Sequence, residues 1–484
     1  MKIQNPKSKI QNKSQNQNPK HRTTNNKQQT PNTKQQTTNN KQQTTNTKHQ
    51  TTNNKQIHQP MNILILGSGG REHAIARKIK QSPSCKELYI APGNAGTSLC
   101  GENISIDLKD FSAIAKFVKN NDINMVVVGP EDPLVNGIVD YFSNISDLKN
   151  VSVIGPDSNG ARLEGSKDFA KAFMEKYQIP TAKYKSFSKE NLEEGLKFLE
   201  TFNPPYVLKA DGLAAGKGVL ICETLKEAKV YLQEMIDNRM FGEASECVVI
   251  EEFLDGLELS VFIATDGYSY VQLPGAKDYK RIGEGDTGPN TGGMGCVSPV
   301  PFADKTFMEK VNKRIIEPTI NGLVNEKIDY KGFIFFGLMN VNDEPYVIEY
   351  NVRLGDPEAE AILPRINSDC LNLLKHIGNK TLNEYKMEIT ADFAATIMLA
   401  SEGYPGSYQK GFEIYNVDSV NDSIVFFAGA SRQNDVIKTS GGRVLAITSI
   451  DSDLLKAIEK SNTNAAKIVF QGKYYRRDIG KDLI

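Results

Sequence analysis

The sequence predicts a multidomain chain of α/β and α+β character: a disordered N-terminal tail, then a parallel α/β domain, with a small β-rich domain at the end. Three observations carry the prediction. A length of 484 residues is enough for about three domains at roughly 150 residues each. The first sixty residues are almost wholly Asn, Gln, Lys, Thr, Ser and Pro, with no Leu, Val, Phe, Tyr or Ala. They cannot bury the apolar surface that offsets ordering entropy. From Met61 onward, short apolar runs alternate with helical patterns at the spacing of βα units. The runs Ser423–Ala428, Gly442–Thr448 and Ala466–Phe470 add β-like segments near the C-terminus.

Charge divides as sharply as composition. Residues 1–60 hold ten lysines, Arg22 and no acid. With 58 bases and 58 acids in the whole chain, the remaining 424 residues hold 47 bases and 58 acids. An acidic body argues against tracking a phosphate backbone, so no nucleic-acid partner is expected. No apolar run approaches the ~20 residues of a membrane span, so no membrane partner is expected either. Cys85, Cys100, Cys222, Cys247, Cys296 and Cys370 form no C-x-x-C pair. Scattered thiols in a long chain fit a reducing cytoplasm.

The tail repeats every seven residues, as in Asn25–Pro31, Asn32–Thr38 and Asn39–Thr45, but has no apolar a or d position for a coiled coil. It has no apolar core of a secretory signal and no amphipathic face of a transit peptide. We read it as a translated upstream repeat, with the true start at Met61, rather than as a basic arm for an acidic partner. Three of the five histidines lie there, leaving the body His73 and His376, too few for a mechanism built on several histidines.

The body begins with a buried strand, Asn62–Leu66, and the glycine loop Gly67–Gly70 followed by Arg71-Glu72-His73. A helical pattern runs to about Ser82, where Pro83 stops it. Tyr89–Ala91, Met125–Val128 and Val151–Ile154 are further strands; Met125–Val128 ends in Gly129-Pro130-Glu131. A glycine loop between strand and helix offers N–H groups to a phosphate. It serves equally as an ordinary tight turn. It is not a dinucleotide fingerprint, because Glu72 stands where the third glycine is needed.

Tyr206–Lys209 and Val219–Cys222 are strands around Ala210–Gly218, which includes Gly212, Gly216, Lys217 and Gly218. The glycine spacing is not that of a Walker loop, and a strand follows in place of a helix. A mobile loop over phosphates, or a plain hairpin, fits these residues. Cys247–Glu252, the linker Phe253–Gly256 and a returning strand with Glu258 would clasp a flat ring or form a solvated acidic turn. Asp278–Arg281 leads into Gly285–Gly295, eleven residues with five glycines, which is expected to be neither helix nor regular strand. Gly332–Val341 and Pro345–Tyr350 form a hairpin about Asn342-Asp343-Glu344. Glu349 and Asn351 then share one strand face, an oxygen pair suited to Mg²⁺. Arg353 follows beside several acids, either as a fork for an anion or in an ion-pair network.

In order along the chain, GSGGREHA (67–74), APGNAGT (91–97), VVGPEDPLV (127–135), LEGSKDF (163–169), KADGLAAGKGV (209–219), IEEFLDG (250–256), DTGPNTGGMG (286–295) and RLGDPEAE (353–360) resemble the ATP-grasp superfamily. Within it they resemble the phosphoribosylamine–glycine ligase family of purine biosynthesis. The resemblance spans Met61–Ile484 and implies a tail at 1–60, a substrate domain at 61–165, a two-lobed ATP-grasp at 166–378 with its small lobe about 183–252, and a C-terminal domain at 379–484.

It further implies that ATP phosphorylates the glycine carboxylate and that the amine of 5-phosphoribosylamine attacks the acyl phosphate. Lys167 and Lys209 would hold ATP phosphates under Gly216, Lys217 and Gly218. Glu251, Phe253, Leu254 and Glu258 would clasp adenosine. Glu349 and Asn351 would carry Mg²⁺ or Mn²⁺. Gly69, Gly70, Arg71, Glu72 and Glu131 would face phosphoribosylamine. Asp278, Lys280, Asn290, Gly292, Gly293 and Arg353 would line the acyl-transfer site. One departure is that Phe333–Val341 lacks the further acid many ATP-grasp enzymes carry before the Glu-x-Asn strand. The alternative is another ATP-grasp carboxylate–amine ligase, against which GSGGREHA and RLGDPEAE argue. We expect a monomer acting on small molecules.

Overall fold

The computed structural model describes residues 60–213 and 218–484. The expected tail, and the expectations for Gly216 and Lys217, therefore lie outside the described residues. Strand β1 (Met61–Gly67) is the centre of a parallel sheet with β2 (Cys85–Pro92), β3 (Glu102–Asn103), β4 (Met125–Val128) and β5 (Ser152–Pro156), in the order β3-β2-β1-β4-β5. Ile63, Leu64, Ile65 and Leu66 are fully buried, so both faces of β1 are covered and the strand reads as one continuous apolar run. Two residues, Ser68 and Gly69, separate β1 from helix α1 (Gly70–Lys80). The strand order reverses between β1 and β4, so the loops leaving their carboxyl ends diverge and open a crevice.

A second, antiparallel sheet is formed by β6 (Tyr184–Ser188), β7 (Tyr206–Ala210), β8 (Val219–Cys222) and β9 (Cys247–Glu252), in the order β6-β9-β7-β8. The helices Leu192–Leu199 and Leu225–Asp237 cover it. Phe187, Leu208, Leu232, Met235 and Ile250 make a core separate from the rest of the chain.

The next strand does not return into that sheet. β10 (Leu257–Thr265) pairs with β16 below, so the expected returning strand is corrected: Phe253–Gly256 crosses from one sheet to another. β11 (Tyr270–Gln272) lies beside β10. Short strands β12 (Lys277–Asp278), β13 (Arg281–Gly283), β14 (Thr287–Asn290) and β15 (Gly295–Ser298) follow. The glycine-rich segment thus contains strand after all. β13 and β14 pair antiparallel, with an irregularity between Arg281 and Gly283 that absorbs the poor strand propensity of its glycines.

β16 (Tyr330–Val341) and β17 (Glu344–Asn351) form the expected hairpin. Its two turn residues, Asn342 and Asp343, have φ of 52° and 63°, the left-handed pair of a type I′ turn. β16 also pairs with β5 through Tyr330–Pro156 and Lys331–Gly155, so the N-terminal parallel sheet continues into the sheet of β16, β10 and β11.

The C-terminal segment adds β18 (Phe393–Ser401), β19 (Ile424–Phe427), β20 (Ala430–Gln433), β21 (Val436–Thr439), β22 (Arg443–Asp451) and β23 (Lys473–Tyr474). Its main sheet runs β12-β15-β18-β22-β19, so it takes in two strands from the glycine-rich region. Ala466–Phe470 is not a strand. Ala466 and Lys467 end helix α2 (Leu454–Lys467), and Val469 makes a single bridge to Tyr415. That helix buries Ala457, Ile458 and Ala465 against the sheet, and helical periodicity wins over the short apolar run. Among the described residues, no helix is long and apolar enough to cross a membrane.

Candidate active site

The crevice between β1 and β4 is lined by carboxyl groups. Glu72 is buried and accepts from the Gly69 N–H at 2.5 Å and from Arg71 Nε at 2.6 Å. A Cβ at Gly129 would lie 2.1 Å from Glu72 Oε1, which is why a glycine follows β4 there. The Glu72 carboxylate is thus committed to bracing its own loop. Arg71 reaches across to the Leu354 carbonyl at 3.1 Å, and Asp356 Oδ2 lies 3.4 Å from the Arg71 backbone N. Glu360 presses on the same turn, with Oε1 2.1 Å from where a Gly70 Cβ would stand. Its carboxyl group is fully buried, neither oxygen has a partner on another residue, and burial beside Asp356 raises its pKa well above the usual range. Carboxyl groups of Glu72 and Asp356 thus contact two of the N–H groups at the start of α1.

Arg353 joins this crevice to β17. Its Nε donates to Glu131 at 3.2 Å, and its NH2 group donates to Glu164 at 2.7 Å and to Asn351 Oδ1 at 3.0 Å. Burial works to raise the Glu131 carboxyl, but Arg353 and Arg71 outweigh it and hold the pKa below the ordinary value. Glu164 also accepts from the Val352 N–H at 2.8 Å, and burial pushes it up to about 7 despite Arg353. Glu164 lies in the LEGSKDF stretch, which by itself assigns it no role. Nothing in its spacing separates it from any acid on a helix flank.

A cluster of lysines lies near Glu349 on β17. Lys209 on β7 and Glu251 on β9 lie diagonally across the pair, with Nζ to Oε2 at 3.0 Å. Lys171 binds the same oxygen at 3.0 Å and the Thr181 hydroxyl at 2.7 Å. Burial brings Lys171 down to about 8. The second oxygen of Glu251 is buried without a partner. Lys209 also donates to the Ile348 carbonyl at 3.3 Å, and Lys167 to the Gly212 carbonyl at 3.0 Å. Burial lowers the pKa of Lys167.

Glu349 and Asn351 do share a face of β17, at 3.5 Å between Oε1 and Nδ2. Burial would raise the Glu349 pKa, but Lys280, Lys209 and Lys167 hold it below the ordinary value, so the carboxylate is ionised. Glu258 pairs with Lys280 at 2.9 Å. Asp278 is pushed up to about 8 by burial and by Glu358, Glu258 and Glu349, against the pull of Lys280. Burial opposes the charge on Lys280, yet Glu258, Asp278 and Glu349 raise its pKa well above the ordinary value. Phe253 and Leu254 sit on the crossing between β9 and β10, with Phe253 exposed. Asn290 is exposed at the end of β14, and Gly292 and Gly293 follow.

The structure therefore brings Lys167, Lys209, Glu251, Glu349, Asp278, Glu258 and Lys280 into one linked set. Glu131, Arg353 and Asn351 form a chain leading out of it. His73 is not part of either. Its Nδ1 accepts from the Phe427 N–H at 2.9 Å, and burial lowers it to about 4, so it is neutral and structural.

Comparison with known proteins gives the same ordering of parts. Residues 61–164 match the family described as phosphoribosylglycinamide synthetase, N domain; residues 165–359 match its ATP-grasp (A) domain; residues 394–482 match its C domain. The phosphoribosylamine–glycine ligase of Fusobacterium nucleatum is 44% identical over 424 residues, covering 87% of this chain and 98% of that one. That of Clostridium acetobutylicum is 44% identical over 421 residues, covering 87% and 100%. The crystal structure of phosphoribosylamine–glycine ligase from Thermotoga maritima superposes with a TM-score of 0.74 at 37% identity, covering 86% of this chain and all of that one. With its three domain types matched in order, the chain belongs to the phosphoribosylglycinamide synthetase family.

Proposed function

We propose that the chain joins glycine to 5-phosphoribosylamine, converting ATP to ADP and phosphate through a glycyl phosphate. The observation that carries this reading is Arg353, whose guanidinium touches Asn351 on one side and Glu131 on the other. It links the oxygen pair on β17 to the crevice between β1 and β4, so a nucleotide and a phosphoribosyl substrate can meet across one fixed cation.

The nucleotide would lie between the sheet of β6–β9 and the sheet of β10, β16 and β17. Lys209 and Lys167 face its phosphates. The Phe253–Leu254 backbone reads the adenine edge, and the unpartnered Glu251 oxygen accepts from the exocyclic amine. Glu258 takes the ribose hydroxyls on loosening from Lys280.

A divalent ion fits this donor set: Glu349 is ionised, and the Asn351 amide oxygen keeps a lone pair beyond its bond to Arg353. Among the described residues no group of three or more His, Cys, Asp or Glu side chains could hold a metal, so Glu349 and Asn351 would act together with substrate phosphates. When bound, Mg²⁺ or Mn²⁺ supplies neutralisation of phosphate charge.

A glycine carboxylate oxygen then attacks the γ-phosphorus and ADP leaves. The amine attacks the acyl carbon, the bond to phosphate breaks, and phosphate departs. No protein nucleophile is needed, only orientation and fixed charge in a closed site. Lys280 and Arg353 hold the anionic oxygens. The attacking amine loses a proton as the amide forms, and it passes to the departing phosphate; Asp278, pushed up by burial and its acidic neighbours, stands beside Lys280 in the same set. Glu131 and Arg71 face the phosphoribosylamine.

The test is ADP release with phosphoribosylamine generated in place from ribose 5-phosphate and ammonia. The expected result is turnover only with glycine and the amine together, at one ADP per amide. Turnover with alanine but not glycine would overturn the reading.

A further inference from the structure

The C-terminal strands send side chains into the glycine-rich loop from outside. Arg443, the first residue of β22, pairs with Asp356 Oδ1 at 2.8 Å and donates to the Asp356 carbonyl at 2.6 Å. The same guanidinium donates to the Gly292 carbonyl and reaches the Gly293 carbonyl at 3.5 Å. It packs against Gly292, where a Cβ would come within 2.9 Å of its central carbon. The Tyr404 hydroxyl accepts from the Gly292 N–H at 3.0 Å. Gly293 has a φ of 114°, and a Cβ there would meet Pro357 at 2.4 Å, so the loop rests directly on the Arg353–Glu360 segment. The β13 strand of the hairpin is tethered too. Arg476 donates to the Arg281 carbonyl at 3.0 Å, and the Tyr474 hydroxyl to that of Ile282 at 2.8 Å.

We infer that Arg443 is a positioning residue for acyl transfer: it fixes the Gly292–Gly293 backbone against Asp356, so that the loop closes over the acyl phosphate and keeps water from it. The inference rests on the site reading above. Arg443 contacts backbone and a carboxylate, not the reacting atoms. The task suits a planar fork serving several acceptors at once, which a lysine ammonium cannot reproduce. With the loop loosened, a water oxygen attacks the acyl carbon, the bond from that carbon to the phosphate oxygen breaks, phosphate leaves, and the water's proton passes to solvent. Glycine is regenerated, and ATP has been hydrolysed with no amide formed.

The experiment measures ADP and amide together for full-length wild type, Arg443→Lys, Arg443→Gln and Tyr404→Phe, at saturating glycine and ATP. For both Arg443 variants we expect amide formation to fall at least ~10-fold, the KM for ATP to stay within about twofold, and ADP per amide to rise roughly twofold or more. Tyr404→Phe should move the ratio the same way by less. A merely structural defect lowers ADP and amide in step and leaves the ratio at one. That outcome in all three variants overturns the inference. If the Arg443 variants do not fold, Tyr404→Phe decides alone. If wild type itself makes no amide, the functional reading fails, and this is visible before any variant is compared.

Discussion

Lys209 and Lys171 converge on a single oxygen of Glu251, each at 3.0 Å, although the three side chains come from a strand, a helix and a second strand. All three are buried, so the pairing is not a surface ion pair of negligible worth. Glu251 holds Lys209 in place, and Lys171 holds Glu251.

Lys209→Met keeps the aliphatic stem and removes the charge. We expect the KM for ATP to rise and turnover to fall at least ~10-fold with the fold retained. Glu251→Gln leaves two buried ammonium groups without the carboxylate they share, and should cost about 3 kcal/mol of stability, read by urea unfolding. Equal ATP affinity in wild type and Lys209→Met would remove Lys209 from the phosphate site.

Glu349→Gln preserves shape while losing the negative charge that three lysines hold ionised. Turnover at limiting Mg²⁺ should fall at least ~10-fold, since loss of one electrostatic stabiliser commonly costs 10²–10³. Asn351→Ala should behave similarly, with an added loss of the bond to Arg353. Wild-type rates at limiting Mg²⁺ in either variant would exclude the pair as ligands.

How much of this was legible in the sequence depends on whether a partner is near in the chain. The β17 pair could be read because Glu349 and Asn351 are two apart on a strand, and the alternation of a strand is local. The turn at Asn342-Asp343 was legible for the same reason. The crossing at Phe253–Gly256 was misread because the partner of β10 is β16, some seventy-five residues later, and no local pattern names it. The glycine loop after β1 was legible as a turn, but its occupants Asp356 and Glu360 arrive from nearly three hundred residues away. Glu164, Lys171 and Arg443 were missed likewise: each is an ordinary charged residue until the fold buries it against a partner.

Glu164 gives a prediction that follows from burial alone. Glu164→Ala strands the Val352 N–H and one arm of Arg353, and should cost about 3 kcal/mol, from an unsatisfied amide at ~1–3 and a buried cation deprived of its acid. Glu164→Gln keeps an acceptor for Val352 and should retain most of that stability. Both should lower kcat/KM for phosphoribosylamine, because Arg353 loses the partner that sets its angle. Unfolding curves for the two variants that superimpose on wild type would show that Glu164 braces nothing.

The last prediction concerns pH and turns on His73, whose ring is buried against Phe426 and Phe427 and accepts from the Phe427 N–H. Burial lowers it from an ordinary 6.5 to about 4, so the folded protein holds it neutral while the unfolded chain protonates near 6.5. Between those values the unfolded state binds more protons, so this residue's contribution is fully present above pH 6.5 and is lost as pH falls toward 4. The full difference corresponds to about 3 kcal/mol. Glu164 works in the opposite sense: raised to about 7, it loses stability as pH rises from 4.5. The net slope for wild type therefore also carries Glu164, Asp278, Glu360 and the other shifted carboxyl groups, and a single curve does not separate them from His73. His73→Asn does, because its amide oxygen can still accept from Phe427 but does not titrate, while Glu164, Asp278, Glu360 and the other carboxyl groups titrate alike in both proteins. Subtracting the two unfolding free energies at each pH should give a gap that favours wild type most above pH 6.5 and closes by up to about 3 kcal/mol on acidification toward pH 4. A gap that stays constant with pH would mean that His73 binds its proton equally well folded and unfolded, and that its contact with Phe427 does not keep the ring neutral.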